Sequence, residues 1–375
     1  MTSRTSLTLL AILVLAGGCG IRARPLPWPW AETRADYIRR SEVWIGDDLG
    51  RWVAHMRTLD LRVGPTGPEA FAPDELVHCD YRKPPSGVPL GNTPKFGCHR
   101  EQHHEPDDFH VKWGEGNGEV YAEVAGTRLL WALGFPADRV YPVRAKCSGC
   151  APDPWRDREP HPGTSHKFAP AIVERVFAGR EIEESHGQGW NWREIEAIDP
   201  ASGGAPREHV DALELLAAFL QHRDSKADNQ RLTCPEEAVV NAETGRSSCR
   251  RPLMMIHDLG STFGGPEPFG THKMSVEHWE REAVWKDPQQ CIANLSEEHD
   301  AHEGLEYPHI GEKGRLFLAR LLEGLDDAQI AALFEVARGE RRGGVARWVA
   351  AFEAKREQVV HPVPADPEFR CPQGR

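Results

Sequence analysis

Residues 222–229 (HRDSKADN) set a carboxylate, an ammonium and a carboxamide close together, directly after a nearly apolar stretch. Asp224 can accept or orient the proton of an attacking hydroxyl, and Lys226 can neutralise charge on a transferring phosphate. The Asn229 side-chain oxygen can hold Mg2+. Phosphoryl transfer asks a protein mainly for this kind of positioning and charge neutralisation. A solvated polar loop after a helix would use the same residue types. Downstream, Asp258-Leu259-Gly260 follows the apolar run Leu253-Met254-Met255-Ile256, so a second carboxylate is expected at a strand end. Upstream, Phe109-His110-Val111-Lys112 has the pattern of a strand with a lysine near its end, and a helix bearing Glu119 and Glu123 follows. Helical spacing puts Glu123 on one face with Gly126, Thr127 and Leu130, a mostly small or apolar stripe suited to facing a cleft. Glu119 stands at the helix start and is expected to be exposed.

The elements that must position these groups are legible from periodicity. Residues 39–59 carry a helical pattern, and 63–89 are loop-rich. Short strands are predicted at 93–96, 109–113, 139–144 and 171–177. The segment 119–133 reads as an amphipathic helix stopped by Gly134. A helix over 209–221, apolar on most sides, runs into the 222–229 loop. Strands are predicted at 230–234 and 253–256. The remainder is helical, over 316–325, from a capping box of Asp326 with Gln329 to about 338, and over 346–359. Strands first and helices later argue for an α+β fold, with a smaller sheet-rich lobe ahead of a larger helical one.

In this order the segments resemble the protein kinase superfamily over 91–264, and its divergent bacterial and secreted branches more than its eukaryotic core. The resemblance implies a two-lobed kinase-like fold that takes ATP and Mg2+. It implies catalytic roles for Asp224 and Lys226, and metal ligation by Asn229 and Asp258. Lys112 would hold the α- and β-phosphates and Glu123 would hold Lys112. Lys95, in 91–96 (GNTPKF), would assist from a phosphate-covering strand pair, and Glu174 would lie where the hinge strand meets the adenine. Leu259 stands where kinases have Phe and keeps its apolar packing role. Three features depart from the family. No GxGxxG precedes Lys112, no Ala-Pro-Glu follows Asp258, and the interval from Asp224 to Asp258 is long, its excess falling between Cys234 and Cys249. The acceptor therefore stays open among a protein hydroxyl, a small molecule and a glycan.

The 375-residue chain carries 45 Lys and Arg against 57 Asp and Glu, a net charge of −12 that offers no broad footprint for nucleic acid. Arg4, the apolar run 7–16 and Gly17-Gly18-Cys19 have the layout of a secretory signal. They resemble a bacterial lipoprotein signal, with Cys19 as the lipid-bearing residue and Ala16 in place of Leu three positions earlier. The expected organisation is signal 1–19, Pro-rich tether 20–40, N-terminal extension 41–89, N-lobe-like region 90–178, C-lobe-like region 179–360 and tail 361–375. The expected location is a bacterial envelope, anchored by lipid on the periplasmic or extracellular side. Besides Cys19 there are eight cysteines, an even number suited to disulfides in an oxidising compartment. Cys234 with Cys249 is the most plausible pair. Cys147 and Cys150 form a CxxC that suits a disulfide or half a zinc site.

Three other readings stand beside this one. A kinase-like fold without catalysis would suit a compartment poor in ATP. His99, His103, His104 and His110, close to Asp107 and Asp108, could form a metal site of a hydrolase. A purely structural envelope lipoprotein remains compatible with the same sequence.

Overall fold

The computed structural model describes residues 28–83, 93–102, 105–185, 188–236, 238–264, 273–295, 305–366 and 368–372. The expected signal with Cys19, and Gly91, Asn92, His103 and His104, lie outside the described residues. In chain order the elements are α1 (Arg34–Arg39), α2 (Leu49–Met56), β1 (Glu75–Arg82), β2 (Lys95–Gln102), β3 (Glu105–Trp113), α3 (Glu119–Leu133), β4 (Arg139–Ser148) and β5 (Ser165–Arg175). There follow β6 (Arg180–Glu181), α4 (Arg207–Leu220), β7 (Gln230–Cys234), β8 (Val239–Val240), β9 (Ser247–Ser248) and β10 (Leu253–Ile256). The last are α5 (Val276–Arg281), β11 (Trp285–Asp287), β12 (Ile292–Ala293), α6 (Glu312–Leu322), α7 (Asp327–Val336) and α8 (Val345–Val360).

The first five strands close into a barrel in the order β1-β2-β3-β5-β4, with β1 and β4 running parallel where it shuts. Strand side chains alternate between faces. Phe109 and Val111 of β3 enter the barrel core with Phe96, Tyr141 and Val173, so His110 and Lys112 face outward. Register extends this outer face across three strands: Lys95 lies opposite Lys112, Lys112 opposite Ile172, and His110 opposite Glu174. β1 belongs to a stretch whose Pro- and Gly-rich surroundings read as loop. Its Val77 and Cys79 complete the barrel core.

α3 packs against β4, β5 and α7, and almost all its residues are buried. Its C-terminus stops at Gly134, whose φ of 85° is the left-handed conformation that glycine adopts without a Cβ penalty. α4 packs on α6, and together with α3, α7 and α8 it contributes to a second, larger core. The 39–59 pattern is broken, because 42–47 is not helical and Asp48 caps α2. The segment expected as a free tether is packed from Trp28 onward. Trp30 is fully buried and bridges to Ser247, and α1 follows. Large aromatics favour this packing, since burying Trp30 removes a large apolar surface from water.

β7 pairs antiparallel with β10, so that Gln230 faces Ile256 and Leu253 faces Thr233. The residue before β7 and the residues after β10 must therefore meet. The chain between the strands carries the β8–β9 hairpin and the disulfide Cys234–Cys249. Three further disulfides join Cys79 to Cys98, Cys147 to Cys150 and Cys291 to Cys371. The CxxC is thus a disulfide, and its sulfurs are not available to zinc. Cys234–Cys249 spans 15 residues, and a loop of that length gains about 3 kcal/mol from closure. Replacing both cysteines with serine is expected to lower the unfolding free energy in urea by about that amount, with the hairpin the first part to lose amide protection.

Candidate nucleotide and phosphoryl-transfer site

Lys112 projects from the outer barrel face onto α3. Its Nζ donates to Glu123 Oε1 at 2.6 Å and lies 3.6 Å from Glu174 Oε2. Burial works against the Lys112 charge, but Glu123, Glu174 and Asp258 outweigh it and hold its pKa well above the ordinary lysine value. Asp258 stands two residues after the end of β10 and accepts the Gly260 amide at 2.8 Å. Burial favours its neutral form, yet Lys112 and the Gly260 amide keep its carboxyl well below the usual carboxylate range. Asp258 is therefore ionised at any physiological pH.

Glycine at 260 is required by close approach. A Cβ there would fall 2.7 Å from Glu119 Cγ and 2.9 Å from Glu123 Oε1. Leu259 packs on the same helix at Gly126, where an added Cβ would stand 3.0 Å from Leu259 Cβ. The Asp-Leu-Gly turn thus seats directly against α3, the helix that carries Glu123.

The 222–229 loop reaches this turn through the backbone. The Asn229 carbonyl accepts the amides of His257 at 2.8 Å and Asp258 at 3.2 Å, and the Arg223 amide donates to Ser261 at 3.2 Å. Inside the loop, Asn229 Nδ2 donates to the Asp224 carbonyl at 2.6 Å. That bond fixes the carboxamide and leaves its oxygen without a hydrogen bond among the described residues. Lys226 Nζ stands 3.1 Å from Asp224 Oδ1, both side chains being partly exposed. Among the described residues the Lys95 ammonium forms no hydrogen bond or ion pair, but its charge helps to hold Glu174 and Asp258 ionised from the neighbouring strand.

His222, at the head of the loop, is buried, and neither ring nitrogen has a hydrogen-bond partner among the described residues. Desolvation lowers its pKa to about 4. The unfolded chain binds a proton near pH 6.5 that the folded chain refuses, so stability falls as pH drops through the window from about 6.5 to about 4. The full loss is about 3 kcal/mol. In urea titrations across that window, His222→Leu is expected to remove this part of the pH dependence.

Several groups escaped the sequence reading. Glu119, expected to be exposed, is buried and ion-paired with Lys273. Burial opposes the Lys273 charge, but Glu119, Asp258 and Asp224 raise its pKa, so Lys273 sits in the field of both acids. It belongs to no motif, and only the fold brings it there. Asp138 and His257 form a buried hydrogen-bonded pair behind Asp258. Of the histidine-rich alternative, His103 and His104 lie outside the described residues, and the neighbouring acids are engaged in other pairs. Asp107 is tied to Arg100 and Arg175, and His99 bonds Asp108 at 2.8 Å.

No family model matches the sequence, and no curated protein matches it. A search of solved structures finds the crystal structure of a Helicobacter pylori proinflammatory kinase, CtkA. The two chains are 10% identical, the match covers 75% of this chain and 92% of that one, and the TM-score is 0.36. A likeness at that level decides nothing about function. The geometry of the site has to stand alone.

Proposed function

We propose that this chain is an exported, lipid-anchored, kinase-like protein that binds ATP with Mg2+ and transfers a phosphoryl group to a hydroxyl acceptor. On this reading the barrel and α3 form a smaller lobe, and the helices from α4 onward form a larger one. One observation carries it: Lys112 bonds Glu123 and lies in the field of the ionised Asp258, whose amide bonds the 222–229 loop at the Asn229 carbonyl.

The donor set fits Mg2+, which takes one or two protein oxygens and fills its shell with phosphate and water. Asp258 offers a charged carboxylate, and Asn229 an oriented carboxamide oxygen. Bound there, the ion would neutralise phosphate charge. Lys112 would hold the non-transferring phosphates, kept in place by Glu123. Lys95 and Glu174 would flank the nucleotide on the barrel face. Asp224 would receive the proton of the acceptor hydroxyl as its oxygen bonds the γ-phosphorus and the bond to ADP breaks. Lys226, beside it, would meet the charge of the transferring group.

Export and anchoring through Cys19 rest on the signal-like sequence and are supported by four disulfides, which persist in oxidising compartments. Mass spectrometry of the membrane-extracted protein should find a lipid on Cys19 that is absent in Cys19→Ser. The reaction is tested by following the γ-phosphate of ATP by phosphorus NMR with Mg2+ and the chain lacking residues 1–19. Slow Mg2+-dependent loss of the γ-phosphate is expected, and it should vanish in Asp224→Asn. ATP that binds but is never consumed would replace this reading with a nucleotide-binding protein that does no chemistry.

A further inference from the structure

Beside the Lys112–Asp258 site lies a second cluster, which shares with it only Glu174 on the nucleotide-flanking face. Asp138, between α3 and β4, Glu174 on β5 and His257 after β10 converge so that one donor atom from each lies within 4.8 Å of the others. Asp138 is buried. Its Oδ1 accepts the Phe177 amide at 2.8 Å, which turns Oδ2 toward His257 Nδ1. The Glu174 side chain is only 10% exposed, yet its carboxylate accepts no hydrogen bond among the described residues. Its ion-pair partner among the described residues, Lys112, is 3.6 Å away and already bonded to Glu123 at 2.6 Å. A mostly buried carboxylate without a donor is costly unless something else completes its shell.

We propose that Asp138, Glu174 and His257 form a binding site for one divalent transition-metal ion of the zinc class, separate from the oxygens of Asn229 and Asp258. Mixed imidazole and carboxylate donors favour such an ion over Mg2+ or Ca2+, which prefer all-oxygen shells. Ligand bonds of about 2.1 Å in a tetrahedral site put donors roughly 3.4 Å apart. The Asp138–His257 pair would open to make room for the ion, and Glu174 would close on it. A fourth position would remain for water or an incoming group. With His257 neutral the three residues carry two negative charges, which the ion balances. Binding would cross-link β5, β10 and the α3–β4 connection, and it would relieve Lys112 of the competing Glu174 carboxylate. The site rests on its own donors and does not depend on the ATP–Mg2+ reading.

The test uses the chain lacking residues 1–19, treated with a chelator, dialysed and titrated with Zn2+ by calorimetry, with bound metal counted by elemental analysis. One equivalent is expected to bind without any nucleotide. Glu174→Gln should weaken that binding at least 10-fold, and this variant breaks no hydrogen bond of the fold. Asp258→Asn should keep full Zn2+ binding, because it removes only the ligand assigned to Mg2+. Failure of the parent chain to take up an equivalent at micromolar free Zn2+ would overturn the proposal. So would unchanged Zn2+ affinity in Glu174→Gln with an intact cooperative melt. Loss of ATP binding alone would leave the zinc site standing.

Discussion

Lys112→Ala should lower the unfolding free energy by about 3–5 kcal/mol and abolish ATP binding at the same time. The stability loss follows from what the substitution leaves behind. Glu123 is buried, its Oε2 has no hydrogen-bond partner among the described residues, and its Oε1 depends on Lys112. Glu174 loses its ion-pair partner. Removing one member of a buried pair strands the other charge, which costs far more than the pair gains in water. The companion double variant Lys112→Met with Glu123→Leu removes the stranded carboxylate along with its cation. It should recover a large part of the stability while binding no ATP. Urea denaturation at pH 7 with calorimetric ATP titration separates the two effects. A loss under 1 kcal/mol in Lys112→Ala would mean that the buried pair does not form as described.

The second large effect is kinetic. Asp224→Asn keeps the size of the side chain and its backbone link to Asn229 but removes the proton acceptor. Positioned acid–base groups typically contribute a factor of about 100 to 10,000. Phosphoryl transfer should fall by that range, with ATP affinity changed less than about threefold. Stability should barely move, since Asp224 is partly exposed and its contact with Lys226 is a surface pair. Weakened ATP binding equal to the loss in rate would recast Asp224 as a binding residue.

Much of this site was legible because its parts are local. The strand ending at Lys112, the helix with Glu123 on its inward face, and the two strands around the 234–249 insertion each carry their own periodicity. The β7–β10 pairing then brings Asn229 and Asp258 together with little further information. What stayed hidden was non-local. β1 closes the barrel by parallel pairing with β4, and nothing within its eight residues announces that distant partner. Glu119 looked like an exposed helix-start carboxylate because Lys273, which buries and pairs it, arrives from far along the chain. Asp138 and His257 likewise meet only through tertiary packing. The tether reading of 20–40 failed from Trp28 onward for a similar reason: Trp30 finds Ser247 across the fold. A Pro-rich composition records stiffness but not what its tryptophans will find.

The central claim is that Lys112, Asn229 and Asp258 jointly hold a nucleotide and its metal ion. The most direct measurement is calorimetric titration of the chain lacking residues 1–19 with ATP, with and without Mg2+, beside Asp258→Asn. ATP should bind at one site in the presence of Mg2+ and at least 10-fold more weakly without it, and Asp258→Asn should erase the difference. No heat of binding from ATP or GTP under either condition, in a chain that melts cooperatively, would contradict the claim whatever the motif suggests.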